Sequence, residues 1–324
     1  MDAQLGLFPD PVESAPPERV GPARPATDAA SLAAALPRGL RLGTSSWSFP
    51  GWAGIVYAAP ATETDLARFG LAAYARHPLL RTVCVDRSYY RPVEERTFAR
   101  WASEVPEDFR FVVKADRRLV EPEGPDGEPN AEVLDPALAA DQVVGPAASG
   151  LGPKLGPIVF QLPPRPAAAF GGPARFARRL HAFLDALPPG PAYAVELRTP
   201  GLLGPAYAEA LDATGASHAY AVHPAAPTLA AQTSLIPPHR QPLLLVRWML
   251  RRALDYEEAR RRYTPFDRLV DEDPATREEI VRMALDALVA ERDAFVIANN
   301  KAEGSSPLTL FRLAGRIADP FDAP

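Results

Sequence analysis

Polar side chains follow several short apolar runs of this sequence, at the point where each run ends. The run at 192–198, AYAVELR, ends in Glu196 and Arg198, and the run FRFVVK ends in Lys114. Other runs end in the following polar residues: Asp86, Gln161, His223, Arg247 and Asn299. In a parallel α/β barrel the carboxyl ends of all strands meet at one face, and active sites lie at that face. The pattern therefore predicts one polar site built from many strand ends.

Three of these residues are candidates for catalysis: Lys114, Glu196 and Asp86. Because side chains alternate along a strand, positions 110, 112 and 114 share a face, which directs Lys114 into the top of the barrel. A lysine among apolar walls and beside arginine is expected to have a lowered pKa, which suits a general base or a Schiff-base nucleophile. Glu196 would act as an acid or a base. The alternative is an ion pair between Lys114 and Glu196, which would keep the lysine protonated.

Two arginines at strand ends are expected to bind the substrate. The guanidinium groups of Arg198 and Arg247 are permanently charged and fork-shaped, which suits a phosphate or a carboxylate. The alternative for both is pairing with Glu196 and Asp86, which would satisfy buried charge within the protein. A small anionic substrate is therefore the expected partner of this site.

The remaining candidates for ligand contact are amide, imidazole and aromatic side chains: Gln161, Asn299, Asn300, His223, Trp47, Tyr89 and Tyr90. The amides would orient a ligand, although Asn300 would alternatively cap the turn toward Gly304. Aromatic rings on loops after barrel strands would stack on a ligand. The alternative for the loop around Trp47 is a packed lid without ligand contact.

Metal and nucleotide cofactors are not expected. Only His223 of the five histidines stands at a strand end, whereas zinc requires several clustered ligands. A single magnesium ion between Asp86 and Glu196 stays open as an alternative. The sequence has neither a P-loop nor a dinucleotide fingerprint. Cys84 is the only cysteine; it lies within a predicted strand and is expected to be core packing.

Eight apolar runs alternate with helical patterns, which predicts an α/β protein with a (β/α)8 TIM-type barrel over residues 39–324. Strands are expected near residues 41, 81–85, 109–113, 157–160, 192–198, 216–222, 242–246 and 294–298. Helices are expected near 63–76, 93–104, 130–144, 174–187, 274–290 and 308–317, and a basic irregular segment at 251–263.

Residues 1–38 are rich in proline, alanine and charge, which predicts a disordered N-terminal tail. Within it, the segment Gln4, Leu5, Gly6, Leu7, Phe8 resembles the peptide by which many bacterial repair and replication proteins bind the sliding clamp. An amide followed by two spaced apolar anchors suits docking into a surface groove. The alternative is that these apolar residues pack against the barrel.

Several segments together resemble the YecE-like family, also called domain of unknown function 72. They are GTSSWSFPGW after the first strand, SYYRP after the second, FRFVVKA with Lys114, GPIVFQLPP with Gln161, AVELR with Glu196 and Arg198, and NN followed by Gly304. The resemblance covers roughly residues 40–318 and implies a barrel of this kind, without implying a reaction. Thr199 and Lys301 stand where relatives usually have histidine or an acidic residue, so no role of those residues is carried over.

Composition restricts the function classes. The net charge of −5 gives the protein no general basic surface for nucleic acid, and the sequence has no apolar run long enough for a membrane span. One cysteine and no signal-peptide pattern favour the cytoplasm. Two classes remain: a metal-independent lyase, isomerase or hydrolase acting on an anionic substrate, linked to DNA metabolism if the tail binds the clamp, and a non-catalytic module that binds a ligand or nucleic acid.

Overall fold

The eight apolar runs form a closed barrel of eight parallel strands in the computed structural model, which describes residues 19–24, 28–124 and 127–319. Each strand pairs with the next along the chain, and the last pairs with the first. The strands are β1 (Leu40–Thr44), β2 (Leu80–Val85), β3 (Arg110–Lys114), β4 (Leu155–Leu162), β5 (Tyr193–Leu197), β6 (Ser217–Val222), β7 (Leu244–Trp248) and β8 (Ala294–Ala298). The predicted (β/α)8 barrel is confirmed.

Alternate residues of the strands fill the barrel interior. One buried apolar cluster contains Cys84, Val112, Val159, Ala194, Ala219, Leu245, Phe295 and Ile297. Two positions further along six of these strands are the polar residues Asp86, Lys114, Gln161, Glu196, Arg247 and Asn299. Because side chains alternate along a strand, these polar residues point the same way as the apolar cluster, one layer nearer the carboxyl ends.

Close packing of β1 against β2 requires glycine at one position. A Cβ atom on Gly43 would lie 2.0 Å from the carbonyl oxygen of Thr82, so a side chain there would force the two strands apart. The register between the strands shifts between Leu42 and Gly43.

Helices surround the barrel and cover its apolar outer face. They are α1 (Ala29–Ala35), α2 (Glu63–Phe69), α3 (Leu71–Ala75), α4 (Glu95–Ser103), α5 (Pro136–Ala139), α6 (Gly145–Leu151), α7 (Pro173–Asp185), α8 (Pro205–Thr214), α9 (Leu229–Leu235), α10 (Tyr256–Tyr263), α11 (Pro274–Val289) and α12 (Ser306–Ala318). Helix α7 shows why they form: Pro173 is fixed in a helical φ at the first turn, and Phe176, Leu180 and Phe183 recur at helical spacing on the buried face.

Several helices differ from their predicted form. The helix expected at 63–76 is divided at Gly70 into α2 and α3, and the segment expected as one helix at 130–144 is α5 followed by a π-helical turn that continues into α6. The segment expected to be irregular at 251–263 contains α10, whose start is capped by the carboxylate of Asp255. Helices α8 and α9 were not predicted, because their alanine-rich sequences lack a clear apolar stripe.

Part of the predicted disordered tail is ordered. Residues 19–24 lie along the loop that follows β1: the N–H of Ala23 donates to the carbonyl of Val56 at 2.8 Å, and Val20 is buried. Helix α1 buries Ala29. The prediction of disorder to residue 38 is therefore wrong for these segments, because a few apolar residues in a polar, proline-rich sequence suffice to anchor it. None of the helices in the described ranges is long and apolar enough to cross a membrane.

Candidate active site

Arg247 links several strands across the carboxyl end of the barrel. It lies on β7, and only 1 % of its surface is exposed. Its Nη2 donates to Oδ1 of Asp86 at 2.9 Å, and its Nη1 donates to Oε1 of Gln161 at 3.4 Å and to Oε2 of Glu196. Burial alone would lower the pKa of Arg247, but the two carboxylates raise it. The alternative of internal pairing is therefore what the structure contains, and Arg247 binds its own chain.

Glu196 is held as a carboxylate at the centre of this cluster. It is fully buried; Oε1 accepts from Nε of Arg198 at 2.7 Å and Oε2 accepts from Arg247. Burial by itself raises the pKa of Glu196, but the guanidinium groups of Arg247 and Arg198 lower it to about 2. A carboxylate held in this way stays ionised at neutral pH and positions the two arginines.

Asp86 has one oxygen engaged and one available. Its side chain is 30 % exposed, and Oδ1 accepts from Arg247 and from the thiol of Cys84, at 3.2 Å. Its Oδ2 has no hydrogen bond to any described residue. Burial raises the pKa of Cys84, so this thiol is not a thiolate at neutral pH, which agrees with its expected place in the core.

Lys114, the last residue of β3, carries a buried amine that has no polar partner among the described residues. It is 7 % exposed, and within the described ranges its Nζ makes neither a hydrogen bond nor an ion pair. The alternative ion pair with Glu196 is therefore not formed in this structure. The Nζ lies 3.5 Å from the centre of the Tyr89 ring. Burial lowers the pKa of Lys114 to about 8; Asp86 opposes this shift and Arg247 adds to it. About a tenth of such amines are neutral at pH 7.

Arg198 and His223 form the exposed edge of the cluster. The side chain of Arg198 is 15 % exposed, and apart from its Nε its N–H groups have no partner among the described residues. The Nδ1 of His223, which follows β6, accepts from the N–H of Ala225 at 3.1 Å. Burial, followed by the charge of Arg198, lowers the pKa of His223 to about 4. The imidazole is therefore neutral at pH 7, with Nε2 left to carry its proton.

Tyr89 connects Lys114 with the loop after β3. Its hydroxyl donates to Oε1 of Glu121 at 3.0 Å, and Oε2 of Glu121 lies 3.4 Å from Arg165. Burial and the Glu121 carboxylate raise the pKa of Tyr89, so the phenol stays neutral. The ring of Tyr90 is perpendicular to that of Tyr89, with ring centres 5.3 Å apart, and Tyr90 is exposed to solvent.

Other predicted residues make their hydrogen bonds and ring contacts outside this cluster. Asn299 donates to the Ser45 hydroxyl at 2.7 Å, which joins β8 to the end of β1. Asn300 is fully buried, and its Oδ1 accepts from the N–H of Ser306 at 2.9 Å, which caps the start of α12. Trp47 is buried against Trp101, with ring centres 5.3 Å apart. The Asn300 side chain therefore caps α12, whereas the turn toward Gly304 is closed by the backbone carbonyl of Asn300, which accepts from the N–H of Gly304 at 2.8 Å.

Three arginines of the basic segment at 251–263 bind groups elsewhere in the same chain. Arg251 donates to the carbonyl of Asp271 at 2.8 Å, Arg252 donates to the carbonyl of His223 at 2.9 Å, and Arg262 pairs with the Asp271 carboxylate at 2.7 Å. These three arginines therefore hold the local fold together through contacts within the chain.

The described ranges contain no group of three or more histidine, cysteine or acidic residues placed to hold a metal ion. The magnesium alternative required Asp86 and Glu196, but both carboxylates already accept from Arg247. A cation between them would have to compete with a buried guanidinium.

Two residues of this face were not predicted. Ser45 was missed, although side chains alternate along a strand and Ser45 therefore shares the inward face with Gly43. Glu121 lies in the weakly patterned segment after β3, and no sequence signal distinguishes it from its neighbours.

Comparisons with known proteins agree with this fold. A profile of the family described as "Protein of unknown function DUF72" matches residues 41–323. A DUF72 family protein from Thermotoga maritima superposes with a TM-score of 0.62 at 19% identity, covering 86% of this chain and 99% of that chain. One from Enterococcus faecalis gives a TM-score of 0.56 at 19% identity, covering 88% and 98%. None of the curated proteins matches the sequence.

Proposed function

Because the chain belongs to the DUF72 family, whose function is unknown, we propose a function for it from the geometry of its strand ends. It is an enzyme that acts on a small anionic carbonyl compound through the amine of Lys114. The observation that carries this proposal is a buried lysine without a polar partner in the described ranges, with a pKa of about 8. An amine that is partly neutral at physiological pH is a nucleophile, whereas an ordinary lysine is almost wholly protonated.

The choice of lysine at this position supports a chemical role. The chain has three lysines, Lys114, Lys154 and Lys301, against 32 arginines. Arginine is therefore the usual cation of this protein, and arginine cannot lose its proton under physiological conditions. A site that needed only a positive charge would be served by arginine, as Arg247 shows on the neighbouring part of the same face.

The anionic part of the substrate is assigned to Arg198. Its free N–H groups point to a carboxylate or phosphate, and the neutral His223 beside it offers a further donor. Nucleophilic attack by Lys114 on the carbonyl carbon would give a carbinolamine, and loss of water would give the imine. The free Oδ2 of Asp86 is the group available to transfer the protons of these steps.

Reductive trapping tests this proposal. The protein is incubated with a panel of 2-oxo acids and sugar phosphates, borohydride is added, and peptides are examined by mass spectrometry. We expect an adduct at Lys114 in the wild-type protein and in the Lys301→Met control, and none at that peptide in Lys114→Met. Absence of an adduct at Lys114 with every compound, or equal labelling of all three lysines, would reject imine chemistry. Turnover without trapping would assign Lys114 as a general base.

The N-terminal peptide carries a separate proposal. Gln4, Leu5, Leu7 and Phe8 lie outside the described residues, and we propose that they bind the bacterial sliding clamp. The described chain starts at Arg19 beside the loop that follows β1, where the N–H of Ala58 donates to the carbonyl of Gly21 at 2.9 Å. Docking Leu7 and Phe8 would each recover about 1.5–3 kcal/mol before the cost of ordering the peptide.

Titration of the clamp with the intact protein tests the peptide. We expect an affinity of about 1–100 μM, which is lost in a Gln4→Ala, Leu7→Ala, Phe8→Ala triple variant. Equal binding by the two proteins, or the absence of binding by the intact protein, would reject the link to DNA metabolism and leave the barrel chemistry unaffected.

A further inference from the structure

A cavity of about 500 Å³ lies beside the Lys114 site, between the loops that follow β2, β3 and β4. Its lining includes Tyr90, Glu121 and Arg165. Glu121 also accepts from the hydroxyl of Tyr89, whose ring lies under the amine of Lys114. The cavity and the candidate active site therefore share a wall, and a molecule longer than the site itself could occupy both.

Most acidic groups of the cavity are already paired. Asp116 and Glu132 lie 3.2 Å and 3.6 Å from the guanidinium of Arg118, and Glu121 pairs with Arg165. These contacts leave their carboxylates little capacity to repel an anion. Glu123 is the exception among the lining acids, because it is exposed and its side chain has no partner in the described ranges.

Two of the lining cations have no partner in the part of the chain that the structure describes. Arg91 and Arg117 are exposed, and neither side chain makes a hydrogen bond or an ion pair with a described residue. Their guanidinium groups supply donors that match a phosphate or a carboxylate. Neither residue supports the fold through such contacts, so replacing either is not expected to unfold the protein.

An exposed aromatic ring completes the cavity. Tyr90 is 71 % exposed, and large apolar or aromatic side chains of the described residues are rarely so exposed. Its ring is perpendicular to that of Tyr89, with the ring centres 5.3 Å apart, and most of its surface faces solvent. Such a ring provides a stacking surface for a planar group.

We propose that this cavity binds an anionic group carried on a planar ring system, as in a nucleoside monophosphate, and that it is the subsite for the remote end of the substrate. The anion lies between Arg91 and Arg117, and the ring stacks on Tyr90. The assignment to the substrate rests on the proposed function, because it places the reacting end at Lys114. The binding site itself stands on the cavity residues alone.

The proposed ligand class of the cavity is tested by calorimetry with the full chain. The three probes are adenosine 5′-monophosphate, adenosine and inorganic phosphate. We expect the monophosphate to bind most tightly, because only it offers both ring and anion. Its affinity should fall about tenfold or more in the Arg91→Ala, Arg117→Ala double variant and in Tyr90→Ala. It should rise severalfold in Glu123→Gln, which removes the unpaired negative charge. The matched control is Arg96→Ala, since Arg96 is an exposed arginine of α4 that pairs with Glu94 outside the cavity.

The outcomes separate this proposal from that for Lys114. The Lys114→Met variant should bind the monophosphate as the wild type does, and the double arginine variant should still form the reductive adduct with a small 2-oxo acid. Equal affinity for adenosine and its monophosphate, unchanged binding by the double variant, or no saturation by any probe at about 1 mM would overturn the cavity assignment. If the wild-type protein forms no reductive adduct at Lys114 but still binds the monophosphate, only the proposed chemistry is overturned.

Discussion

Lys114 and Lys154 are equally buried, each 7 % exposed, yet their surroundings differ completely. The Nζ of Lys154 donates to the carbonyls of Ala102 and Val105 at 2.8 Å and 2.9 Å and lies 3.0 Å from the carboxylate of Glu107. The Nζ of Lys114 has no such partner among the described residues. Burial alone therefore does not make a lysine reactive; the hydrogen bonds that satisfy its charge decide the outcome.

The positions of the two lysines explain the difference. Lys154 lies just before β4, next to the end of α4 at Ser103, where carbonyl groups without helical partners attract a cation. Lys114 lies at the carboxyl end of β3, where Arg247 already occupies the neighbouring carboxylates. The same residue type is structural at one place and available for chemistry at the other.

The largest expected effect comes from replacing the structural lysine. Lys154→Met leaves one buried and one part-buried carbonyl without their charged donor, which should lower the free energy of unfolding by about 2–4 kcal/mol. Urea denaturation of this variant and of an exposed control, Arg96→Met, measures the difference. A change as small as that of the control would show that Lys154 is not a structural cation.

Replacing Lys114 is expected to raise the free energy of unfolding, whereas replacing Lys154 lowers it. Lys114→Met removes a charge that the folded protein holds unfavourably, so the free energy of unfolding at pH 7 should rise by about 1–3 kcal/mol. The pKa of Lys114 is about 8 in the folded protein, below its value in the unfolded chain. The free energy of unfolding of the wild type therefore rises as pH increases from the folded to the unfolded pKa of Lys114. Over the same pH range, the variant's higher free energy of unfolding should approach that of the wild type.

Denaturation at pH 7 and at about pH 10 tests this prediction, with pH 10 chosen near the ordinary pKa of lysine. Two results would contradict the proposed cost of burying this amine. One is a Lys114→Met protein that is less stable than the wild type at neutral pH. The other is a difference in free energy of unfolding between the two proteins that does not become smaller at high pH.

The sequence identified the layer of polar strand ends because alternation along a strand is a local property. Lys114, Gln161 and Glu196 each stand two positions beyond an apolar inward residue, and their placement follows from that spacing alone. The partners of each charge do not follow from local spacing. Whether Arg247 pairs with Asp86 or binds a ligand depends on contacts across the barrel, because Arg247 and Asp86 are 161 positions apart in the sequence.

Other details required three-dimensional information for similar reasons. Asn300 and Asn299 are adjacent amides at one strand end, but the structure turns Asn300 toward α12 and Asn299 toward Ser45. The ordering of residues 19–24 also depends on a distant loop, since Ala23 bonds to Val56. A proline-rich composition predicts weak local structure and carries no information about such a partner.

A smaller effect, with a defined sign, distinguishes the neighbours of Lys114. Arg198 lowers the pKa of Lys114 and Asp86 raises it. The Arg198→Met variant should therefore raise the pKa of Lys114, and Asp86→Asn should lower it, each by about half a unit to one unit. The rate of Lys114 acylation against pH, read by mass spectrometry, gives the value in each protein. Shifts of the same sign in both variants would show that these charges do not act on the amine as described.

Titration of the Lys114 amine in the wild-type protein tests most directly whether this amine is reactive. Lysine enriched with ¹³C at the carbon next to Nζ gives signals that the Lys114→Met, Lys154→Met and Lys301→Met variants assign one by one. We expect the Lys114 signal to titrate with a pKa of about 8. A pKa for Lys114 at about 10.4 or above, the ordinary range for lysine, would contradict a reactive amine at this site.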